Sequence, residues 1–262
     1  MTQVFQDSKD VTIGAGRLFI ADVNSDGTPG PFSYVGDSDG FNITTTTTRV
    51  EKYAGDGPVA EKIVDQTVQI DHQFGMTLNE VRPENMAIAL LGETAVRQQE
   101  ADATFEEVTT AKLGSYVNLG ATAENPAGVK NISGVEVTDG DTTTYDIGDD
   151  YEVDLASGVV YIRTDGAISE DDPITISATV PEEGFVHTFT ASDGIGKKAL
   201  RYMEDAAEGI NRDIYIPYCD VRPEGTIELK SRDEIQQITL ELTALVPRTG
   251  GRAVTIEDRD PS

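Results

Sequence analysis

Two stretches decide the reading of this chain: GRLFIADV at residues 16–23 and PENMAIALLG at residues 83–92. The first alternates along its length, as a short strand does when successive side chains point to opposite faces. The second is the one convincing helix. Pro83 suits a first helical turn, where its missing N–H has no partner to lose. Glu84 suits the positive end of the helix dipole. Met86 and Leu90, with Ala87 beside them, share one face and form the predicted packing surface of the helix, and Gly92 is read as its stop. The remainder is written in strands and turns, so the predicted class is mainly β with one flanking helix.

Working outward, the turn cluster NSDGTPG at 24–30 ends the first strand. Residues 32–35 and 41–53 read as strands. The second is rich in threonine, whose branching at Cβ suits a pleated surface. AGDGP at 54–58 breaks that run, and residues 63–76 resume it with Ile63, Val68, Ile70 and Phe74 as apolar positions. Two long strands joined by such a tip predict a hairpin that projects beyond the domain. KKALRYMEDAAE at 197–208 has helical propensity, but Leu200 and Tyr202 alternating with Arg201 and Met203 favour a strand. It pairs across the turn at 209–213 with a strand over 214–216. Residues 225–230 and 235–246 are predicted to form a final hairpin across 231–234. The polar tail 247–262 is read as an arm that docks elsewhere or stays mobile.

Residues 114–184 read as a separate small β module of sandwich or barrel type. Short strands are predicted at 135–137, 151–155, 159–162 and 174–176, divided by turns at 138–141, 156–158 and 164–166. This segment holds 15 Asp and Glu against 2 Lys and Arg, a net charge of −13, so about half of the chain's charge sits there.

The whole chain carries −27 over 262 residues, enough length for one large β domain or two smaller ones. Such a charge disfavours nucleic-acid binding, because affinity for phosphates comes from Lys and Arg displacing counterions. It also keeps copies apart. Cys219 is the single cysteine, which leaves no disulfide framework and no cysteine zinc site. No apolar run reaches the ~18 residues of a membrane span. The first residues lack the basic and then apolar pattern of a signal peptide, so synthesis in a cytoplasm is expected.

Candidate chemistry is thin. Asp22, Asn24, Asp26 and Gly27 match the first half of a calcium loop, but Ser33 stands where the bidentate carboxylate belongs. Asp139, Asp141, Asp149 and Asp150 are the remaining candidates for weak calcium binding. His72 and His187 lie in strand patterns, with no Ser or Cys nucleophile placed beside them. Phe19 occupies the third glycine position of a dinucleotide fingerprint begun by Gly14 and Gly16. No catalytic residue, cofactor or metal site is therefore predicted, and Cys219 is read as a small buried residue.

The two opening stretches, residues 36–41 ahead of the threonine-rich strand, and residues 215–221 ahead of the closing hairpin together resemble the major tail tube protein of long-tailed, siphovirus-type bacteriophages. The resemblance covers about 1–113 and 185–262 and is interrupted by the 114–184 module, for which an immunoglobulin-like fold is one expectation. It implies a two-sheet β-sandwich or barrel with a flanking helix, six copies closing into a ring, and rings stacking head to tail. It further implies a conduit for phage DNA that is not bound specifically, and partners in the tape measure, tail terminator and distal tail or baseplate proteins. The location implied is the virion tail, after synthesis in a bacterial host. No membrane and no enzyme activity are implied. The hairpin tip at 48–58 is then expected to reach the adjacent ring, with Arg49, Glu51, Lys52 and Asp56 as polar contacts and Tyr53 as anchor. Two other classes stay open: an acidic β-sandwich binding or decoration module on a capsid or cell surface, and the inner tube of a contractile injection machine.

Overall fold

The computed structural model describes residues 12, 14–140, 142–190, 196–206 and 209–259. The chain is mainly β, with several antiparallel sheets and one helix among the described residues. It divides into two compact units: Met1–Ala95 with Thr188–Ser262, and Val96–His187.

The first unit is built on one hydrogen-bonded sheet. Its strands are β1 (Gly16–Asp22), β2 (Ser33–Tyr34), β3 (Ser38–Tyr53), β4 (Lys62–Leu78), β13 (Lys198–Glu204), β14 (Arg212–Pro223) and β15 (Ile238–Ala244). They lie in the order β2-β1-β13-β14-β15-β4-β3, all antiparallel, and β16 (Thr255–Asp258) adds to β14. β13 is a strand paired with β14, as the alternation at 200–203 predicts.

The sandwich character arises because this sheet curls over itself. Phe41 on β3 and Tyr202 on β13 lie four strand steps apart, which is about 19 Å in a flat sheet. Their ring centroids are 5.2 Å apart, and Phe41 also stacks on Phe74 at 5.6 Å. Leu18, Phe74, Met76, Leu78, Leu200, Ile216, Leu240 and Leu242 fill the enclosed core. Pro217 sits inside β14 without an N–H to give. The ladder to β13 is irregular between the pairs at 198 and 200, and there the other edge of β14 passes from β16, paired at 212–215, to β15, paired at 219–223. An interruption in pairing is where a strand proline is tolerated.

The helix α1 (Pro83–Ala89) packs against β14 and β15. Pro83 stands at its start and Glu84 in its first turn, as predicted. Its packing face is not the predicted one. Asn85, Ala87, Ile88 and Ala89 are buried, whereas Met86 is half-buried and Leu90 is 43% exposed. The helix is only two turns long, so Leu90 falls in its cap. The Asn85 amide fixes the inward face by donating to the carbonyls of Val35 (2.7 Å) and Glu80 (2.8 Å). Nor is Gly92 the stop. Leu91 takes the left-handed conformation (φ 52°) that ends the helix. Gly92 opens β5 (Gly92–Gln99), where a Cβ would collide with the Phe189 carbonyl on β12 (Glu183–Thr190).

The chain leaves the first unit along β5 and returns along β12, and these two strands pair with each other. In the second unit β6 (Asp102–Thr110), β11 (Pro173–Val180) and β8 (Ser133–Thr138) form one three-stranded sheet. β7 (Tyr116–Asn118), β10 (Val159–Ile162) and β9 (Tyr151–Asp154) form another. Leu119, Val137, Tyr151, Val160, Ile162, Ile174 and Ile176 make its core. The boundary expected at 113/114 falls inside this unit, because β6 pairs with β11 across residues 102–110.

Two C-terminal expectations are corrected. Residues 225–230 form no strand. β15 has its two edges taken by β14 and β4, so no partner edge is left for that segment. The tail, read as an arm that docks elsewhere or stays mobile, lays β16 against β14 of its own sheet; residues 260–262 lie outside the described range.

Candidate functional site: an exposed two-stranded ribbon

β4 pairs with β15 only from Gln73 to Leu78. From His72 to Lys62 its one partner is β3. Eleven residues at about 3.3 Å each make an arm of roughly 35 Å beyond the sheet. Every residue from Thr44 to Ile70 is exposed except Ala54. This is the projecting hairpin that the sequence predicts, with its turn at 54–61 rather than 54–58. Among the described residues β3 has no second neighbour along its outer edge, and β4 has none beyond Gln73.

Cross-strand partners share a face, so the register sorts the side chains. One face continues the core: Phe41 and Met76, Ile43 and Phe74, Thr45 and His72, Thr47 and Ile70, then Arg49 and Thr67, Glu51 and Asp65, Tyr53 and Lys62. The opposite face carries Thr44 with Gln73, Thr46 with Asp71, Thr48 with Gln69, Val50 with Gln66, and Lys52 with Val64. The register shifts after Thr48 and after Lys52, leaving Val68 and Ile63 as extra residues of β4. Such bulges bend and twist a ribbon.

The distal end of the core-side face is a charge network. Asp65 pairs with Arg49 at 3.1 Å, and Lys62 donates to Glu51 at 2.6 Å and reaches Asp65 at 3.4 Å. The Tyr53 hydroxyl donates to Glu51 at 3.1 Å, and Lys62 lies 5.7 Å from the Tyr53 ring centroid. The hydrogen bond from Lys62, and then that from Tyr53, hold the Glu51 carboxyl below its ordinary range. Glu51 in turn raises Lys62 and Tyr53. Exposed pairs of this kind add little stability, but they fix side-chain direction. Nearer the root, the Thr45 hydroxyl and His72 Nδ1 are 3.0 Å apart.

Of the predicted contact residues, Arg49, Glu51 and Tyr53 are thus brought together on one face. Lys52 stands on the other, with no ion pair among the described residues. Asp56 lies in the turn, apart from both. Lys62 and Asp65 complete the network and lie outside the predicted contact segment 48–58. Their places opposite Tyr53 and Glu51 depend on the longer turn and on the extra residue Ile63, which simple alternation does not give.

Elsewhere several ionisable groups are engaged within the fold. Burial, reinforced by Asp220, pushes the Cys219 thiol up to about 12, and its Sγ lies 3.2 Å from the Lys198 carbonyl. Asp26 accepts from Thr28 inside its turn. Asp139 accepts from the amides of Thr142 and Thr143, and Asp150 from those of Asp146 and Ala167. These backbone donors hold the Asp150 carboxyl below its ordinary value. Asp141 lies outside the described residues. Among the described residues no group of three or more His, Cys, Asp or Glu is placed to hold a metal ion, and no helix is long and apolar enough to cross a membrane. A cavity of about 490 Å³ in the first unit is lined by Ile20, Asp22, Glu84, Ile88 and Lys198 among others, and Lys198 is tied there to Asp22.

The fold defines an antiparallel β protein of two units with one projecting ribbon. The chain belongs to the family described as "Protein of unknown function UCP028589", which matches residues 11–245 and so spans both units. No curated protein matches it.

Proposed function

We propose that this chain is the repeating subunit of a phage tail tube, whose copies close into rings of six that stack head to tail around a channel for DNA. The ribbon carries the reading. A two-stranded ribbon alone is marginally stable in water, and this one leaves Val50, Tyr53, Val59, Ile63, Val64, Val68 and Ile70 exposed. Free strand edges beside apolar side chains suit pairing with another chain. A second copy always offers the same surfaces, so a contact that does not close on itself propagates as a filament.

In such a tube Arg49, Glu51, Lys52, Tyr53 and Asp56 lie where one ring meets the next. A channel poor in cations lets DNA slide, since nothing grips its phosphates. Tape measure, terminator and distal tail proteins would cap and template the tube in the virion tail. The subunit catalyses nothing. The test is negative-stain electron microscopy of the concentrated chain, with sedimentation velocity on the same sample. Rings or tubes of uniform diameter are the expected result; monodisperse monomers at every concentration and ionic strength would refute the proposal.

A further inference from the structure

The register that projects the ribbon also defines an opposite end of the sheet. β15 begins at Ile238, paired with Leu78, and runs toward the ribbon as far as Thr243, paired with Gln73. β14 ends at Pro223, paired with Leu240. The connection 224–237 therefore lies at the root end, where Gln237 donates to Asp39 (2.7 Å) and Asn79 (2.9 Å). It contains no regular element. A structureless connection of this length inside a compact unit is uncommon, and such connections are often functional. It exposes Leu229 (69%) and Ile235 (79%), while Ile227 alone among its apolar residues packs on the core.

One face of the ribbon offers a charge complementary to this end. Glu224, Glu228, Asp233 and Glu234, none in an ion pair among the described residues, outnumber Lys230 and Arg232 in the connection. Asp37 and Asp39 stand exposed beside it. At the ribbon's distal half, the face opposite the Arg49–Asp65 network bears Val50, Lys52, Val64 and Gln66, with Lys52 its one charge. In a chain of −27, most surfaces repel a second copy. This face does not.

We infer that the ribbon of one copy docks on the 224–237 end of the next, seating Val50 and Val64 against Leu229 and Ile235, with Lys52 among the carboxylates of Glu228 and Glu234. The occupant is a second copy of this chain, and the inference rests on the tube reading above. The two surfaces lie at opposite ends of one unit, so the contact is head to tail and repeats without closing. Burying the four apolar side chains supplies the attraction, and the single cation facing several acids sets the register.

The experiment mixes two full-length variants, V50C and L229C, each in a Cys219→Ala background, under assembly conditions followed by mild oxidation. A disulfide-linked pair is expected in the mixture that neither variant gives alone. In parallel, Lys52→Glu should raise the critical concentration for tube growth about tenfold, the size of effect a 1.4 kcal/mol loss produces, and Glu228→Lys added to it should recover part of that. Tubes that grow with no mixed disulfide, and with an unchanged critical concentration for Lys52→Glu, overturn this docking while leaving the tube reading intact. A wild-type chain that forms no tubes defeats the tube reading instead.

Discussion

Replacing residues 49–68 by Asn-Gly should separate folding from association. That dipeptide closes a two-residue hairpin between Thr48 and Gln69, which already face each other. None of the removed residues belongs to a buried cluster, so no core area is lost and no cavity is opened. The deleted residues contribute exposed ion pairs and solvated hydrogen bonds, whose net effect on folding is under about 1 kcal/mol. For a chain of this size that is a melting-temperature change of at most about 4 °C. Association should respond very differently. Burying a valine or isoleucine in an interface contributes about 1.5–3 kcal/mol, and the cut removes Val50, Val59, Ile63, Val64 and Val68 together. Even after about half of that gain is offset by ordering the arm, several kcal/mol per contact disappear, and tube growth should cease at any attainable concentration. Thermal melts followed by circular dichroism read the first quantity, and sedimentation velocity with electron microscopy reads the second. A drop in melting temperature beyond about 10 °C would show that the ribbon holds the fold, and tubes of normal length would remove it from assembly.

Asn85→Leu leaves the Val35 and Glu80 carbonyls without their donor, which should cost about 2–4 kcal/mol and lower the melting temperature by about 5–15 °C; an unchanged melt would show that another group takes over. Gly92→Ala drives a methyl group into the Phe189 carbonyl and should destabilise strongly in urea titration, whereas Gly55→Ala, with open space around it, should be neutral. The Cys219 thiol is held near 12 in the folded chain against an ordinary 9.0, so the folded state keeps a proton that the unfolded state releases. Stability therefore falls as pH rises from about 9 toward 12, by about 1.4 kcal/mol per unit. Urea melts of wild type and Cys219→Ala between pH 8 and 10.5 should diverge in that sense, and parallel curves would contradict it.

What the sequence reveals of this fold depends on how local the deciding interaction is. The ribbon is legible because threonine-rich alternation on either side of a Gly/Asp/Pro break needs nothing beyond neighbouring residues. β13 is legible over its helical propensity because Leu200 and Tyr202 alternate with Arg201 and Met203, and the pairing with β14 settles it. The helix face is not. Met86 and Leu90 have the right spacing, but where the helix stops is decided by Leu91 and by the approach of Gly92 to Phe189, a contact between distant residues. Residues 225–230 alternate as well as many true strands do, yet β14 and β4 already occupy both edges of β15. Likewise β6 belongs to the second unit through a partner some sixty residues away, so no composition shift marks the boundary. The face assignment of Lys52 against Arg49, Glu51 and Tyr53 follows from alternation alone along the predicted strand 41–53.

The charge and the open edges act against each other, and the proposed assembly turns on their balance. Long unpaired edges with apolar side chains normally invite indiscriminate pairing, and this chain carries them on a body that other copies approach against strong like-charge repulsion. That repulsion is screened over about 10 Å at 0.1 M salt, so it operates near the body and fades along an arm of roughly 35 Å. The distal ribbon extends away from the sheet that carries it, and its face around Lys52 bears a cation and no acid. In the proposed tube, contact between bodies would be suppressed while contact through the arm would not. On the proposed reading, a charge of this size is compatible with self-assembly, because it would restrict association to one surface and one direction.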